Sequence, residues 1–478
     1  MKAVIMAGGA GSRLRPLTCC LPKPMARLCG KPVLEYIFDL LIRHGFGEAT
    51  VTLGYLAGMI AGQYPSESYR QLPLRFLTEE KPLGTAGGVA LAARGWQEPF
   101  LVISGDAMCD LDLSRAWEAH MASGAAVTIL GTEVEDPREY GLLQIDEQRR
   151  VTGFIEKPAW GQATSNLANT GIYILRPDVM NLVPHDQPFD FAKDLFPLLM
   201  ARDEKIFACK AEGYWCDIGD LGAYLRCQKD MLEHKVQCAM PAPERPGIFA
   251  RGPLPQGDYT LVPPVYLGEE VEIGDGTVVG PGTVLDDGCM VGSNAKLRGS
   301  VLLQNTNVSA GTALTGAILC AGAVIRRGAQ LFEGSAVGEK AIVGAGAALQ
   351  PGIYVWPQKQ VESGAVVRNH VKYGSQSAAL FDDGGVGSEG APLTPETCAA
   401  LGAAIGSIKS CKKAGVACDG SGSAKALMLA LMSGLMSTGC HVWSFDECFE
   451  AQLSFFTAFC GLGVGVFVCG GNNPAIRI

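Results

Sequence analysis

The chain of 478 residues exceeds what one hydrophobic core usually serves, and its 48% hydrophobic and 18% charged residues suit two or three packed domains rather than a disordered chain. A formal net charge of −9, a pI near 5.3 and the lack of any long Lys/Arg run argue against nucleic acid as a partner. Seventeen cysteines, odd in number and without CxxC pairs, point to reduced thiols and a cytoplasmic setting rather than to disulfides or zinc.

At the N-terminus Lys2–Met6 is an apolar run too short for a secretory leader, and it reads as a buried strand. Further strands are expected at Ala49–Leu53, Leu74–Leu77, Phe100–Ser104, Ala126–Thr132 and Gly171–Leu175, with helical patterns between them such as Val33–His44. Alternation of this kind predicts an α/β domain over residues 1–235, a mostly parallel sheet with helices on both faces. Residues 236–263 are Pro-rich, carry weak strand signals and read mainly as a linker.

An aliphatic residue then recurs at every sixth position through Leu267, Ile273, Val279, Leu285, Val291, Leu297 and Leu303. Two five-residue steps follow, by way of Val308, Leu314 and Leu319, and the register resumes at Ile325, Leu331, Val337, Val343, Leu349 and Val355. A six-residue period is one face of a triangular coil in which inward aliphatics stack from turn to turn. The pattern resembles the hexapeptide repeat of left-handed parallel β-helices and is assigned to residues 264–358. Its expected role is assembly, which makes a homo-oligomer the expected state.

The tail, 372–478, has a fourth composition. Helices are expected at Thr394–Gly406 and Ser423–Met436, and strands at Gly415–Cys418, His441–Ser444 and Gly465–Val468. Ala426–Phe445 and Ala451–Ile476 are free of charge and long enough to span a bilayer, but Gly, Ser, His, Asn and Pro interrupt them and no basic clusters flank them. Buried helices and strands are the expected reading.

The chemistry begins where the first strand ends. Ala7-Gly8-Gly9-Ala10-Gly11-Ser12-Arg13 is a turn whose glycines let backbone N–H groups approach phosphate oxygens, and Lys23 follows between two prolines. Arg13 and Lys23 supply fixed cations where charge builds on a reacting phosphate. The order Gly8 to Pro24 resembles the GGxGxRLxPLTxxxPKP motif of the sugar-1-phosphate nucleotidyltransferases.

That resemblance extends over some 220 residues. Glu79, Glu80, Pro82, Gly84 and Thr85 look like the segment that reads the base and holds the nucleoside. Asp106 after a buried strand, and Asp217 in Trp215-Cys216-Asp217-Ile218-Gly219, resemble the family's two Mg²⁺ ligands. Tyr140, Gly141, Glu156, Lys157, Asn169 and Thr170 resemble the sugar-phosphate pocket, with Lys157 on the phosphate. The resemblance implies a Rossmann-like domain of the GT-A type that uses Mg²⁺, an NTP and a sugar 1-phosphate.

A carboxylate from Glu79 or Glu80 suits guanine N1–H and its exocyclic amine. The Pro-Leu-Gly-Thr-Ala-Gly segment and Phe189–Pro197 also look like mannose-1-phosphate guanylyltransferases, so GTP, mannose 1-phosphate and GDP-mannose are the expected reactants and product. Uridylyl, thymidylyl or adenylyl transfer to glucose 1-phosphate is the alternative, and a non-catalytic nucleotide-sugar-sensing regulatory subunit is another. An acyltransferase role for the β-helix is disfavoured, because none of the histidines at 44, 120, 185, 234, 370 and 441 falls within residues 264–358.

In the tail, Phe381–Gly385, Leu393–Glu396, Asp419–Ser423 and Gly471–Pro474 resemble the first domain of α-D-phosphohexomutases. Gly471 stands where that family carries its phosphoserine, so the tail is expected to be catalytically dead.

Overall fold

The computed structural model describes the chain apart from residues 10, 80, 159–164, 186, 374–380, 383–384, 387–392, 409–410 and 472–473, and gives the backbone alone at 381–382 and 385–386. Three bodies follow in order: an α/β domain, a parallel β-helix and a second α/β unit.

The first domain is built on β1 (Lys2–Ala7), β2 (Glu48–Leu53), β3 (Leu72–Thr78) and β4 (Phe100–Ser104), which pair in parallel as β4-β1-β2-β3. Ala3, Val4 and Ile5 are fully buried, as a strand covered on both faces requires. Between them run α1 (Val33–Arg43), α2 (Ala57–Gln63) and α3 (Gly84–Ala92). Helix α1 buries Leu34, Ile37, Phe38 and Leu41, spaced at three and four residues, so one stripe faces the sheet.

Beyond β4 come the short β5 (Ala107–Cys109), α4 (Leu113–Ser123) and β6 (Val127–Glu133). The Asp112 side chain accepts from Arg115 N at the start of α4, and Gly124, at φ 62°, ends it. The hairpin of β7 (Gly141–Ile145) and β8 (Val151–Glu156) leads to β9 (Leu167–Leu175). Strand β9 runs antiparallel to β4 and to β6, and its register with β6 jumps between Asn169 and Ile172. Thr170 and Gly171 thus form a bulge at which β9 leaves β7 and joins β4. After α5 (Phe196–Ala201), β10 (Ile206–Lys210) pairs with β6, β11 (Trp215–Asp217) pairs with β5, and α6 (Leu221–Leu232) closes the domain.

The coil starts earlier and ends later than the six-residue period indicates. Ile248–Ala250 and Thr260–Leu261, inside the stretch read as a linker, pair in parallel with the first coils, and the last strand is Val366–Val367. Pro243 opens a short edge strand that pairs with Phe249, while Pro246 and Pro263 sit in turns and bends that leave the other short strands free to pair. One inward position also shifts. Leu302, not Leu303, stacks between Leu285 and Leu319, because the turn at Gly299-Ser300 is one residue shorter.

The outward residues of one face explain how the first two bodies meet. Tyr266, Val284, Val301, Ile318 and Ala336 form a column, each one residue before an inward aliphatic, and they belong to the hydrophobic cluster of the first domain. Arg27 fastens the edge of this contact. Its Nε lies 2.7 Å from Asp286 Oδ2 and its Nη2 2.9 Å from Asp287 Oδ2, while its carbonyl accepts from Tyr224 Oη and Gln228 Nε2. Burial pushes the Asp286 carboxyl up, and Arg27 opposes that shift.

In the tail, α7 (Pro395–Gly406) and α8 (Gly422–Ser437) pack on a sheet containing β12 (Lys413–Cys418), β13 (His441–Glu447), β14 (Val464–Cys469) and β15 (Ala475–Arg477). Helix α9 (Glu450–Phe459), which the sequence reading did not place, lies against β12 and β14. The two charge-free runs are therefore pieces of an α/β unit. Among the described residues no helix is long and apolar enough to cross a membrane.

Two outcomes are expected. Arg27→Met leaves Asp286 buried without its counter-ion and should lower stability by about 3 kcal/mol, read as a lower midpoint for the first urea transition of the full chain. His120, buried on α4 with Nδ1 2.8 Å from Thr128 Oγ1, has its pKa lowered to about 4 by burial and then by Arg176. Its stabilisation is complete above the unfolded value near 6.5 and is lost as pH falls toward 4. His120→Asn should flatten the decline in stability across that window, by on the order of 3 kcal/mol.

Candidate active site

The glycine turn leaves β1 at the carboxyl edge of the parallel sheet, where ligands of open α/β folds collect. Gly11 has φ 56°, and a Cβ there would lie 3.0 Å from Lys23 Cβ and 3.3 Å from Thr18 Cγ2. The buried Thr18 hydroxyl donates to Gly11 O at 2.7 Å, tying the turn to the segment that carries Lys23. A second support comes from the β-helix, since Cys20 lies beside Glu339; burial first, then that carboxylate, raises its thiol pKa.

Lys23 is 8% exposed, and its Nζ lies 2.6 Å from Asp106 Oδ2 and 3.2 Å from Asp217 Oδ1. Asp106 follows β4, and Asp217 ends β11, where it stands opposite Ala107. Desolvation works against the Lys23 charge, but the two carboxylates overcome it and hold the ammonium above its usual range. Arg13 joins from the other side, with a Cβ on Gly219 falling 3.5 Å from Arg13 Nη2 and 3.2 Å from Asp217 Oδ2. Arg13, Lys23, Asp106 and Asp217 therefore meet, from four separate stretches of chain.

The expected base-reading segment behaves differently. Glu79 Oε2 accepts from Leu83 N at 2.9 Å, and its Oε1 lies where a Cβ on Gly88 would be only 2.3 Å away. Burial raises the Glu79 pKa and the Leu83 bond opposes it. This carboxylate closes the turn before α3 with one of its two oxygens. Glu80 lies outside the described residues. Pro82 is exposed in that turn, and Gly84, at φ 73°, sits against the Phe189 carbonyl. Thr85 Oγ1 donates to Asp190 Oδ1 and accepts from Phe191 N, both at 3.0 Å, which clasps the Phe189–Pro197 segment to α3.

The expected sugar-phosphate residues gather on the β7–β8 hairpin and β9. A Cβ on Gly141 would be 2.8 Å from Glu156 Oε2, and Lys157 N donates to Tyr140 O at 3.2 Å while its side chain is exposed. The Tyr140 ring packs on Trp215, centroids 5.4 Å apart, and so joins the hairpin to the strand of Asp217. Asn169 Oδ1 accepts from Gly171 N and its Nδ2 donates to Tyr173 Oη. Thr170 is 2% exposed with its hydroxyl donated to Leu130 O, so this residue shapes the site and does not offer a side chain to it. Ser104, which the sequence reading passed over, donates to Asp106 Oδ1 at 2.5 Å. Its only signal was its place two residues before the aspartate.

A nucleotidyl transferase family model matches residues 2–234, a GMPPB C-terminal domain 261–371, and the alpha/beta/alpha domain I of phosphoglucomutase/phosphomannomutase 381–476. The mannose-1-phosphate guanylyltransferase catalytic subunit beta of Danio rerio is 32% identical over 274 residues, 56% of this chain and 73% of that protein. The chain belongs to the nucleotidyl transferase family. The UTP–glucose-1-phosphate uridylyltransferase of Synechocystis is 34% identical over 52% of this chain and 68% of that protein. The mannose-1-phosphate guanyltransferase beta-B of Xenopus laevis is 36% identical, over 46% and 61%. HddC of Yersinia pseudotuberculosis, known as a crystal structure, is 31% identical over 48% of this chain and 99% of that chain, with a TM-score of 0.43.

Within this nucleotidyl transferase domain a cavity of about 940 Å³, lined in part by Arg94, Trp96, Arg176 and His185, contains neither Lys23 nor either aspartate. The gathered side chains of Arg13, Lys23, Asp106 and Asp217 lie instead between the glycine turn and β11. If Glu79 only closes the turn, Glu79→Ala should raise KM for all nucleotides alike and move the GTP-to-UTP preference by less than about threefold. Steady-state kinetics with both nucleotides checks this; a large change in preference would assign Glu79 to the base.

Proposed function

We propose that the protein transfers a guanylyl group from GTP to mannose 1-phosphate, releasing pyrophosphate and GDP-mannose. The observation that carries the reaction type is the Lys23 ammonium shared by Asp106 and Asp217 beside a glycine turn. The choice of guanine and mannose rests on the relatives bearing that name and on the GMPPB-type match of the middle body. A carboxylate from Glu79 or Glu80 would accept from guanine N1–H and its exocyclic amine.

The acceptor oxygen of a sugar 1-phosphate is already anionic, so the transfer needs no general base. What remains is positioning and neutralisation of charge. Backbone N–H groups of Gly8, Gly9, Gly11 and Ser12 face the phosphates, and Arg13 and Lys23 offset the charge that develops on the α-phosphate and the departing pyrophosphate. Lys157 holds the acceptor phosphate, with Tyr140, Gly141, Glu156 and Asn169 around the sugar. In the site as it stands its two carboxylates hold the Lys23 ammonium above its normal range.

Asp106 and Asp217 fit Mg²⁺: both donors are hard carboxylate oxygens, they converge on one cation already, and each is about one-third exposed toward the cleft. Among the described residues no group of three or more His, Cys, Asp or Glu could hold a metal, so Asp106 and Asp217 are the two residues that would hold the ion. When bound, the ion supplies Lewis-acid neutralisation of the reacting phosphates.

The β-helix is assigned a structural part. His370 packs on its last coils, with its ring stacked 4.6 Å from Tyr354 and Nδ1 accepting from Tyr354 N, so that nitrogen is taken. The mutase-like tail has no phosphate carrier at Gly471, which instead donates its N–H to Ser423 Oγ. Uridylyl transfer to glucose 1-phosphate is the second reading, favoured by the Synechocystis relative.

Five NTPs assayed against mannose and glucose 1-phosphates, with pyrophosphate as readout, should show GTP with mannose 1-phosphate as the best pair. Lys23→Met and Asp217→Asn should each lower kcat/KM by at least about a thousandfold. Absence of pyrophosphate with every pair would overturn the enzyme reading in favour of a nucleotide-sugar sensor.

A further inference from the structure

Asp106 and Asp217 come from distant parts of the chain, yet both are held from behind by the same short segment. Ser104 donates its hydroxyl to Asp106 Oδ1 at 2.5 Å, while Lys23 takes Oδ2 at 2.6 Å, so the two oxygens face different partners. Trp215, two residues before Asp217, donates its indole Nε1–H to the Thr170 carbonyl at 3.2 Å. Both supports converge on the bulge in β9. Gly171, at φ 74°, backs onto Ser104, where an added Cβ would lie 3.3 Å from Ser104 Cβ. Thr170 is itself anchored, its hydroxyl donated to Leu130 O at 2.7 Å.

We propose that Ser104 and Trp215 are positioning residues that, through the Thr170-Gly171 bulge, set the two carboxylates in place for a divalent cation before any nucleotide arrives. The inference rests on the reading above only in taking Asp106 and Asp217 as the ligands. A carboxylate on a two-bond stem rotates freely unless a second oxygen is fixed. A neutral hydroxyl fixes it without spending the negative charge that draws the cation. Lys23 cannot do this alone, because it is itself a cation competing for the same oxygens. The indole bond does the equivalent for β11 as a whole, which carries no side-chain donor to Asp217 other than Lys23 among the described hydrogen bonds. Support of this kind behind metal ligands is commonly worth ten- to a hundredfold in affinity.

The test uses the full-length protein and Mn²⁺ alone, with free Mn²⁺ followed by its EPR signal and no nucleotide or sugar present. Ser104→Ala should weaken Mn²⁺ binding about tenfold, and Trp215→Phe should weaken it in the same direction. Ser104→Thr, which keeps the hydroxyl, should return to within about threefold of wild type. A Ser104→Ala protein that loses thermal stability but binds Mn²⁺ as tightly as wild type would overturn the proposal, as would Ser104→Thr behaving like Ser104→Ala. Unchanged binding by Trp215→Phe would overturn its half. No saturable Mn²⁺ binding by the wild-type chain would overturn the whole. Because turnover is not the readout, an inactive chain with this Mn²⁺ pattern would sink the proposed reaction and leave the positioning roles standing.

Discussion

The ammonium of Lys23, shared between the carboxylates of Asp106 and Asp217, is the interaction on which the site depends. It joins three segments separated by 83 and 194 residues, and it does so in a nearly buried position where an unmatched charge would be costly. Two carboxylates close together repel, and a single cation between them offsets that repulsion. The same arrangement keeps the lysine protonated and prepares a place for phosphate-bound cationic charge. Much of the surrounding architecture serves to bring these three groups to one point: the turn tied by Thr18, the short antiparallel pair β5–β11 and the bulge in β9.

The β-helix contributes to that point from outside. Its column Tyr266, Val284, Val301, Ile318 and Ala336 merges with the core of the first domain, and the Arg27 ion cluster holds the edge of the contact four residues after Lys23. Gly30 is required there by close approach: a Cβ would fall on the Tyr266 hydroxyl. A repeat that elsewhere shows Glu272, Lys296 and Gln330 outward to solvent is apolar on this one face because that face is an internal interface. The coil is thus a buttress for the segment that carries Lys23, and it reaches further than the six-residue period indicated, so that His370 lies on its last turn.

The tail matches domain I of the phosphoglucomutases and phosphomannomutases, and the backbone at Gly470 and Gly471 is tied into the unit. Asp419 Oδ2 accepts from Gly470 N, and Ser423 Oγ accepts from Gly471 N, so the loop that would present a phosphoserine is still gripped by its neighbours. The carboxylate, pulled down chiefly by the Gly470 N–H, stays ionised for this purpose.

The sequence by itself determined the order of the three bodies and many of their elements, though not helix α9 or the β7–β8 hairpin. Period two and period 3.6 separated strands from helices, and the six-residue period announced a coil, because each pattern reports which residues must turn from water. It also marked Arg13, Lys23, Asp106 and Asp217, whose residue types are set by charge on phosphate rather than by packing. Tertiary structure decided what local pattern cannot carry. The prolines of 236–263 admit coil strands because pairing partners arrive from later in the chain, and Leu302 replaces Leu303 because a turn is one residue short. Thr170 is buried because its hydroxyl meets the Leu130 carbonyl on a neighbouring strand, while the Glu79 and Ser104 bonds, though local, take a backbone geometry that residue type alone does not announce. Which groups are free for chemistry, and which are already spoken for by the fold, is a property of three-dimensional neighbours alone.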